Sequence, residues 1–275
     1  MVDRNTKEQL HQQDLERLRS LRYIDDDFMT VCLEDNVEGV ELILRIILGR
    51  DIRVRSVRTQ ELLKNLQGHS AILDVHAVDS AGKEFDIEIQ RSDAGAGAKR
   101  ARHNSSLLDA HILRPGDDTE DIPDSYVIFI TQNDVMKENE PIYPVERYVT
   151  VGGKNVLFGD GSHILYVNGK YRGNDEIGKL MHDFSCTDPD DIEYEALAKK
   201  ARYFKKNEEG VAFMCKMMED MRNEAAREAV RKTTKENARR LLKLGKIKVD
   251  EISECFPDLS DSDVKELEVE IMQLV

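Results

Sequence analysis

The chain has 275 residues, long enough for one sizeable core or two modest ones. A net charge of −14 with no tryptophan describes an acidic, polar chain whose apolar share is ordinary for a folded protein. That charge excludes broad electrostatic attraction to a polyanion but leaves room for a local basic groove.

No apolar run approaches the roughly 20 residues that span a bilayer. The start, MVDRNTKEQLHQQ, lacks the apolar stretch of a secretory signal, so a cytoplasmic protein with no membrane contact is expected. Cys32, Cys186, Cys215 and Cys255 are isolated, with no C-x-x-C pair, and read as reduced thiols.

Residues 1–22 place Leu10, Leu15, Leu18 and Leu21 at helical spacing and predict an N-terminal helix. Asp25-Asp26-Asp27 then precede Phe28 and Val31. Such a triplet suits a helix N-cap and the positive end of the helix dipole. Val37–Leu48 carries apolar residues at Val37, Val40, Ile43, Leu44 and Ile47, an amphipathic helix closed by Gly49. Ile52–Thr59 alternates valines with arginines and reads as a basic strand or loop.

Ala71–Arg91 is the centre of the chain. Alternation through Ile72, Asp74 and His76, and again from Phe85 to Gln90, is the period of strands. Ser80-Ala81-Gly82 supplies a three-residue turn whose last residue takes the left-handed conformation. That loop sets Asp79 against Lys83 and, counting outward, Asp74 against Glu88, with Gln90 two residues farther on the same face. Opposed carboxylates repel. They fit a bound divalent cation, a shared proton, or exposure at a sheet edge. His76 shares the strand face and is a further candidate ligand, although a strand histidine also serves in packing.

Downstream, the Ala/Gly run after Arg91 is a loop, and Lys99, Arg100 and Arg102 open a helix to about Leu113. Guanidinium groups suit phosphate, and a solvated helix start is the plainer reading. Pro115-Gly116 and Pro123 mark a loop. Tyr126–Thr131, YVIFIT, is a continuous apolar run that predicts a central buried strand. Arg147–Arg172 reads as two or three further strands with Gly-rich turns, and Glu176–Phe184 as a short helix. Beyond Glu193 the chain is almost wholly helical. Val211–Leu244 is one long charged helix with Met214, Met217, Met218 and Met221. Lys246–Val275 reads as two short helices broken at Pro257, with Ser260 as N-cap and Val264, Leu267 and Ile271 inward. The pair resembles a helix-turn-helix, but SDSDVKELEVEI is too acidic for a major groove. An interaction or homo-oligomerisation module is expected instead.

Asp74…Glu88-Ile89-Gln90 resembles the PD-(D/E)XK nuclease motif, with Gln in the Lys place. The surroundings are similar to one branch, the PD-(D/E)XK nuclease family transposases, also called recombination-promoting nucleases. The segments that carry the likeness are Asp25-Asp26-Asp27-Phe28-Met29, Leu73-Asp74-Val75, Asp86 to Arg91, Lys99-Arg100-Ala101-Arg102, Ser125 to Thr131 and Asp160-Gly161-Ser162-His163, within roughly residues 20–205.

The resemblance implies an α/β, restriction-endonuclease-like core with a mixed β-sheet flanked by helices, over residues 1–205. A helical C-terminal extension would follow over residues 206–275. It implies a Mg2+-dependent DNA endonuclease, with Mn2+ as substitute, linked to recombination or transposition. Asp74, Glu88 and the Ile89 carbonyl would be metal ligands. Arg100 and Arg102 would hold phosphate, and Asp25 would be a supporting acid. Gln90 would join Asp74 and Glu88 in catalysis. An amide takes up no proton near neutrality, so Gln90 can orient water or donate to phosphate but cannot act as a base. The alternative is a catalytically silent nucleic-acid or protein interaction module on the same fold.

Overall fold

The computed structural model describes residues 4–64, 70–91, 93–113 and 116–272; Pro115 and the chain end at 273–275 lie outside them, as does the side chain of Ile271. The described chain divides into two compact units. One is Leu15–Val211, and the other joins Ala212–Val275 to the residues up to Asp14. The division expected at 205/206 falls at the end of the helix Glu195–Lys206.

The first unit is built on a mixed six-stranded sheet. In chain order its strands are β1 (Val54–Leu63), β2 (Ala71–Asp79), β3 (Glu84–Gln90), β4 (Ser125–Thr131), β5 (Ile142–Val145) and, after a separate ribbon β6 (Tyr148–Val151) and β7 (Lys154–Leu157), β8 (Ser162–Asn168). The spatial order is β1-β2-β3-β4-β8-β5. The first three strands pair antiparallel, β3, β4 and β8 run parallel, and β5 returns antiparallel at the far edge. YVIFIT becomes β4, buried at every position with a strand on each side, as a continuous apolar run requires.

A parallel neighbour cannot be reached by a tight turn, so the chain crosses from β3 to β4 through α4 (Ala98–Ile112). This gives a strand–strand–helix–strand order. α4 packs Ala101, Leu107 and Leu108 on the face that holds Val127 and Phe129. The helices α1 (Arg4–Ser20), α2 (Asp26–Leu33) and α3 (Val37–Leu48) precede the sheet. Asn36 caps α3 by accepting from the Gly39 N–H at 3.0 Å, and Gly49 ends it in the left-handed region at φ 63°. α5 (Glu176–Ser185) and α6 (Glu195–Lys206) complete this unit.

In the second unit α7 (Glu208–Lys243) is followed by α8 (Ile252–Cys255) and α9 (Asp261–Met272). Ala238, Leu242, Ile252, Leu259 and Leu267 form its apolar cluster. Ser260 caps α9 as expected. Its Oγ accepts from the Asp263 N–H at 3.3 Å while Asp263 Oδ2 accepts from the Ser260 N–H at 3.2 Å. Met214 and Met218, one turn apart, are buried, whereas Met221 is exposed. Among the described residues no helix is long and apolar enough to cross a membrane.

Candidate active site

The turn sets the register of the hairpin. Gly82 takes φ 83°, the Asp79 N–H donates to the Lys83 carbonyl at 3.0 Å, and the ladder runs from Val78↔Glu84 to Val75↔Ile87. The next pair outward is Asp74 and Glu88. Ile89 N–H donates to Asp74 Oδ2 at 3.0 Å, and Asp74 N–H to Glu88 Oε1 at 3.4 Å. Gln90's carbonyl accepts from Gln132 N–H on the β4 side. Strand alternation therefore turns Ile89's N–H and carbonyl toward β2, where Asp74 stands.

The helix α4 meets this strand in matching steps. Four residues along a helix rise about 6 Å and two along a strand about 6.6 Å. Arg100 and Asn104 thus reach Glu88 and Asp86. Arg100 Nη2 donates to Glu88 Oε2 at 2.7 Å, and Asn104 Nδ2 to Asp86 Oδ2 at 3.4 Å. Arg100 Nη1 also donates to Gln90 Oε1 and to the Gly95 carbonyl, each at 3.3 Å. Gly95 allows that approach, since a Cβ there would fall 1.9 Å from Gln90 Oε1.

Three carboxyl groups are therefore buried together: Asp74, Asp86 and Glu88, with Glu88 and Asp86 fully enclosed. Burial pushes Asp74 up to about 7, reinforced by the charges of Glu88 and then Asp26. Burial also raises Glu88, against the pull of Arg100. Asp86 stands well above the usual carboxylate range, from burial and then from Glu88 and Asp74. Among the described residues Asp86 Oδ1 has no hydrogen-bond partner. The set is all oxygen and, among the described residues, has Arg100 as its ion-pair partner; oxygen donors are the kind a hard divalent ion takes. The donor types fit Mg2+ on those grounds: Asp74, Glu88 and the Ile89 carbonyl are the groups that would hold it, and the orphaned Asp86 oxygen marks a polar deficit beside them.

The other expected residues separate. Arg102 lies two residues beyond Arg100, about 200° around the helix, and is exposed away from the carboxyl cluster. Of the two arginines expected to hold phosphate, Arg100 is the one that reaches the carboxyl cluster. Asp25 is engaged by arginines. It accepts from the Arg22 N–H at 2.8 Å and pairs with Arg22 and Arg91 at 3.1 and 3.2 Å. Asp26, the next residue, is the acid whose charge reaches Asp74. Asp25 occupies the N-cap position of α2, but its side chain makes no capping hydrogen bond.

His76 is tied elsewhere too. Its Nδ1 lies 2.6 Å from Glu61 Oε2 and its Nε2 contacts Glu84 Oε2. Burial draws its pKa down, but the hydrogen bonds to Glu84 and Glu61 outweigh that and raise it, and the ring straps β1, β2 and β3. Asp86 and Asn104 were not singled out from sequence. The i, i+2 alternation that selected Glu88 and Gln90 also selects Asp86, whereas Asn104 had no such signal.

A second potential ligand group, His182, Asp183 and Cys186, lies at the end of α5. There Asp183 already accepts the Glu193 and Tyr194 N–H groups, each at 2.9 Å, and burial raises the Cys186 thiol to about 11. Both facts suit a loop tie better than a metal site.

Comparison of the chain with protein-family models, with curated proteins and with solved structures returns no match.

Proposed function

We propose that the Leu15–Val211 unit is a metal-dependent nuclease hydrolysing DNA phosphodiester bonds, on a core of the PD-(D/E)XK type. The observation that carries this reading is the convergence of Asp74, Glu88 and Gln90 with Arg100 at one end of β3. The strand–strand–helix–strand order and the motif resemblance support it. Recombination or transposition is the setting that the resemblance suggests.

When bound, a divalent cation at Asp74, Glu88 and the Ile89 carbonyl would supply charge neutralisation at the phosphate and a more acidic water. Asp74 and Glu88 hold the negative charge that fixes this position. Arg100, between Glu88 and Gln90, directs a planar donor fork at incoming phosphate oxygens and stabilises charge that develops there. Gln90 orients the attacking water through its carbonyl oxygen or donates to phosphate through its amide. It moves no proton.

The test combines cleavage and melting. Supercoiled plasmid, linear DNA and RNA are each incubated with Mg2+ or Mn2+, and the melting temperature is followed with and without the ion. DNA cleavage with a cation-dependent rise in melting temperature is expected. No cleavage together with an unchanged melting temperature at millimolar Mg2+ would refute the reading.

A further inference from the structure

Two clefts open at the carboxyl ends of β3, β4 and β8, and Arg22 lines both. The larger, of about 530 Å³, is walled by Arg17, Arg22 and Arg91 with Asp25, Asp26 and Asp27. The smaller, of about 170 Å³, lies over Gln132, Lys170 and Arg172, the residues that follow β4 and β8. Arg91 Nε donates to Gln132 Oε1 at 3.3 Å and so links the two walls. Together they present five basic side chains against three carboxylates, in a chain whose net charge is −14.

This is the local reversal of charge that an acidic protein needs if a polyanion is to reach it. The acids there are also engaged. Arg17 pairs with Asp27 at 3.2 Å, and Arg22 and Arg91 share Asp25 at 3.1 and 3.2 Å. The Arg17–Asp27 pair is exposed on both sides and exchanges readily for a phosphate, because such a pair contributes little net stability, and Arg91 is itself exposed although its partner Asp25 is buried. The groove leads to the carboxyl cluster: Asp26 lines it and its charge acts on Asp74, and Arg91 directly follows Gln90. Ligands of open α/β sheets bind at the carboxyl ends of strands, and arginine forks match phosphate oxygens.

We propose that the two clefts form one groove for the sugar–phosphate backbone of a single nucleic-acid strand, with Arg17, Arg91 and Lys170 as phosphate contacts. The proposal rests on the nuclease reading and adds to it the path of the substrate. The two clefts, of about 530 and 170 Å³ and joined along Arg22, offer room for the backbone of one strand.

The experiment measures binding of a short labelled single-stranded deoxyoligonucleotide in Ca2+, by anisotropy across a salt series, beside plasmid cleavage in Mg2+. Arg17→Gln, Arg91→Gln and Lys170→Gln should each weaken binding severalfold and flatten the slope of log K against log salt by about 0.7. Lys154→Gln, on the β6–β7 ribbon, makes the same change in net charge and should leave both unchanged. A wild-type protein that binds and cleaves while the groove variants keep its slope overturns the groove and spares the nuclease. Equal losses in Lys154→Gln also overturn it, since net charge alone would then explain the effect. Neither binding nor cleavage by the wild type overturns groove and nuclease together. Unchanged thermal melting of the variants, whose side chains are exposed at Arg17, Arg91 and Lys170, separates binding loss from unfolding.

Discussion

Glu88 in the sheet unit and Asp263 in the helical unit are almost equally enclosed, at 0 and 1 % exposure, yet the chain treats them in opposite ways. Asp263 receives Arg231 through two hydrogen bonds of 2.7 and 2.8 Å, Lys235 at 3.2 Å and the Ser260 hydroxyl at 2.7 Å. The Arg231 and Ser260 hydrogen bonds hold its carboxyl far below the usual range. Glu88 pairs with Arg100, whose charge also acts on Asp74, and a third buried carboxyl group, Asp86, lies close enough to act on both acids; Asp74 is pushed up to about 7. A buried charge whose partners are complete is a structural tie. Buried charges that outnumber their partners persist only because the surrounding fold holds them, and such deficits mark sites of chemistry.

The largest expected effect removes the deficit. Asp74→Ala and Glu88→Ala should each lower DNA cleavage by roughly three orders of magnitude or more, because each deletes an anionic ligand from a site with few. Circular dichroism should report a retained fold. Cleavage at the wild-type rate in either variant would show that the crowded carboxyl groups serve something other than hydrolysis.

The opposite half of the comparison concerns stability. Asp263→Ala should cost about 2 kcal/mol of stability in the helical unit, the scale of charged hydrogen bonds. A larger loss is not expected, because Arg231 is 53 % exposed and stays hydrated without its partner. The pH dependence has a definite sign. A carboxyl group held below its unfolded value adds stability that is complete above about pH 4 and fades as pH falls toward its folded value. Chemical denaturation at pH 7 and pH 3 should therefore show the Asp263→Ala penalty shrinking in acid.

Asp74 reverses that sign. Its folded value lies above its unfolded one, so folding is favoured below about pH 4 and loses stability as pH rises toward 7. Asp74→Asn keeps an acceptor for the Ile89 N–H and removes the charge. It should raise stability by about 1–2 kcal/mol at pH 8 without divalent ions, and by nothing at pH 4. Millimolar Mg2+ should erase the gain by stabilising the wild type. A variant less stable than the wild type at pH 8 would show that the carboxylate's hydrogen bond outweighs its repulsion.

These contrasts were unevenly legible in the sequence. The hairpin register could be counted from Gly82, because a strand alternates strictly and a three-residue turn fixes the phase. YVIFIT announced a central strand by its unbroken apolar run. What spacing could not supply was the helix-to-strand matching that brings Arg100, and not Arg102, to Glu88, since the two arginines are equally basic in sequence. The choice among Asp25, Asp26 and Asp27 was equally invisible. It depends on Arg22 and Arg91, one near in sequence and one far, capturing Asp25 first. β5 went unread because Ile142–Val145 is short, half exposed and interrupted by Pro144, as an edge strand can be.

The smallest expected effect tests how Gln90 is held. Gln90→Ala should slow cleavage by about tenfold or less, because water and phosphate still meet the carboxyl cluster without the amide. Gly95→Ala should do nearly the same. Its new Cβ would sit 1.9 Å from Gln90 Oε1, and the flexible end of the glutamine can swing away, which releases Arg100 Nη1 from its acceptor. Both substitutions then remove one arrangement, so the double variant should be no slower than the slower single one, a departure from additivity that marks a shared interaction. The measurement is the single-turnover cleavage rate of all four proteins at saturating Mg2+. If Gly95→Ala proves far slower than Gln90→Ala, the crowding of Gln90 is not the cause. The bare backbone at Gly95 would then be needed for itself, as a place where a phosphate oxygen comes closer than any side chain allows.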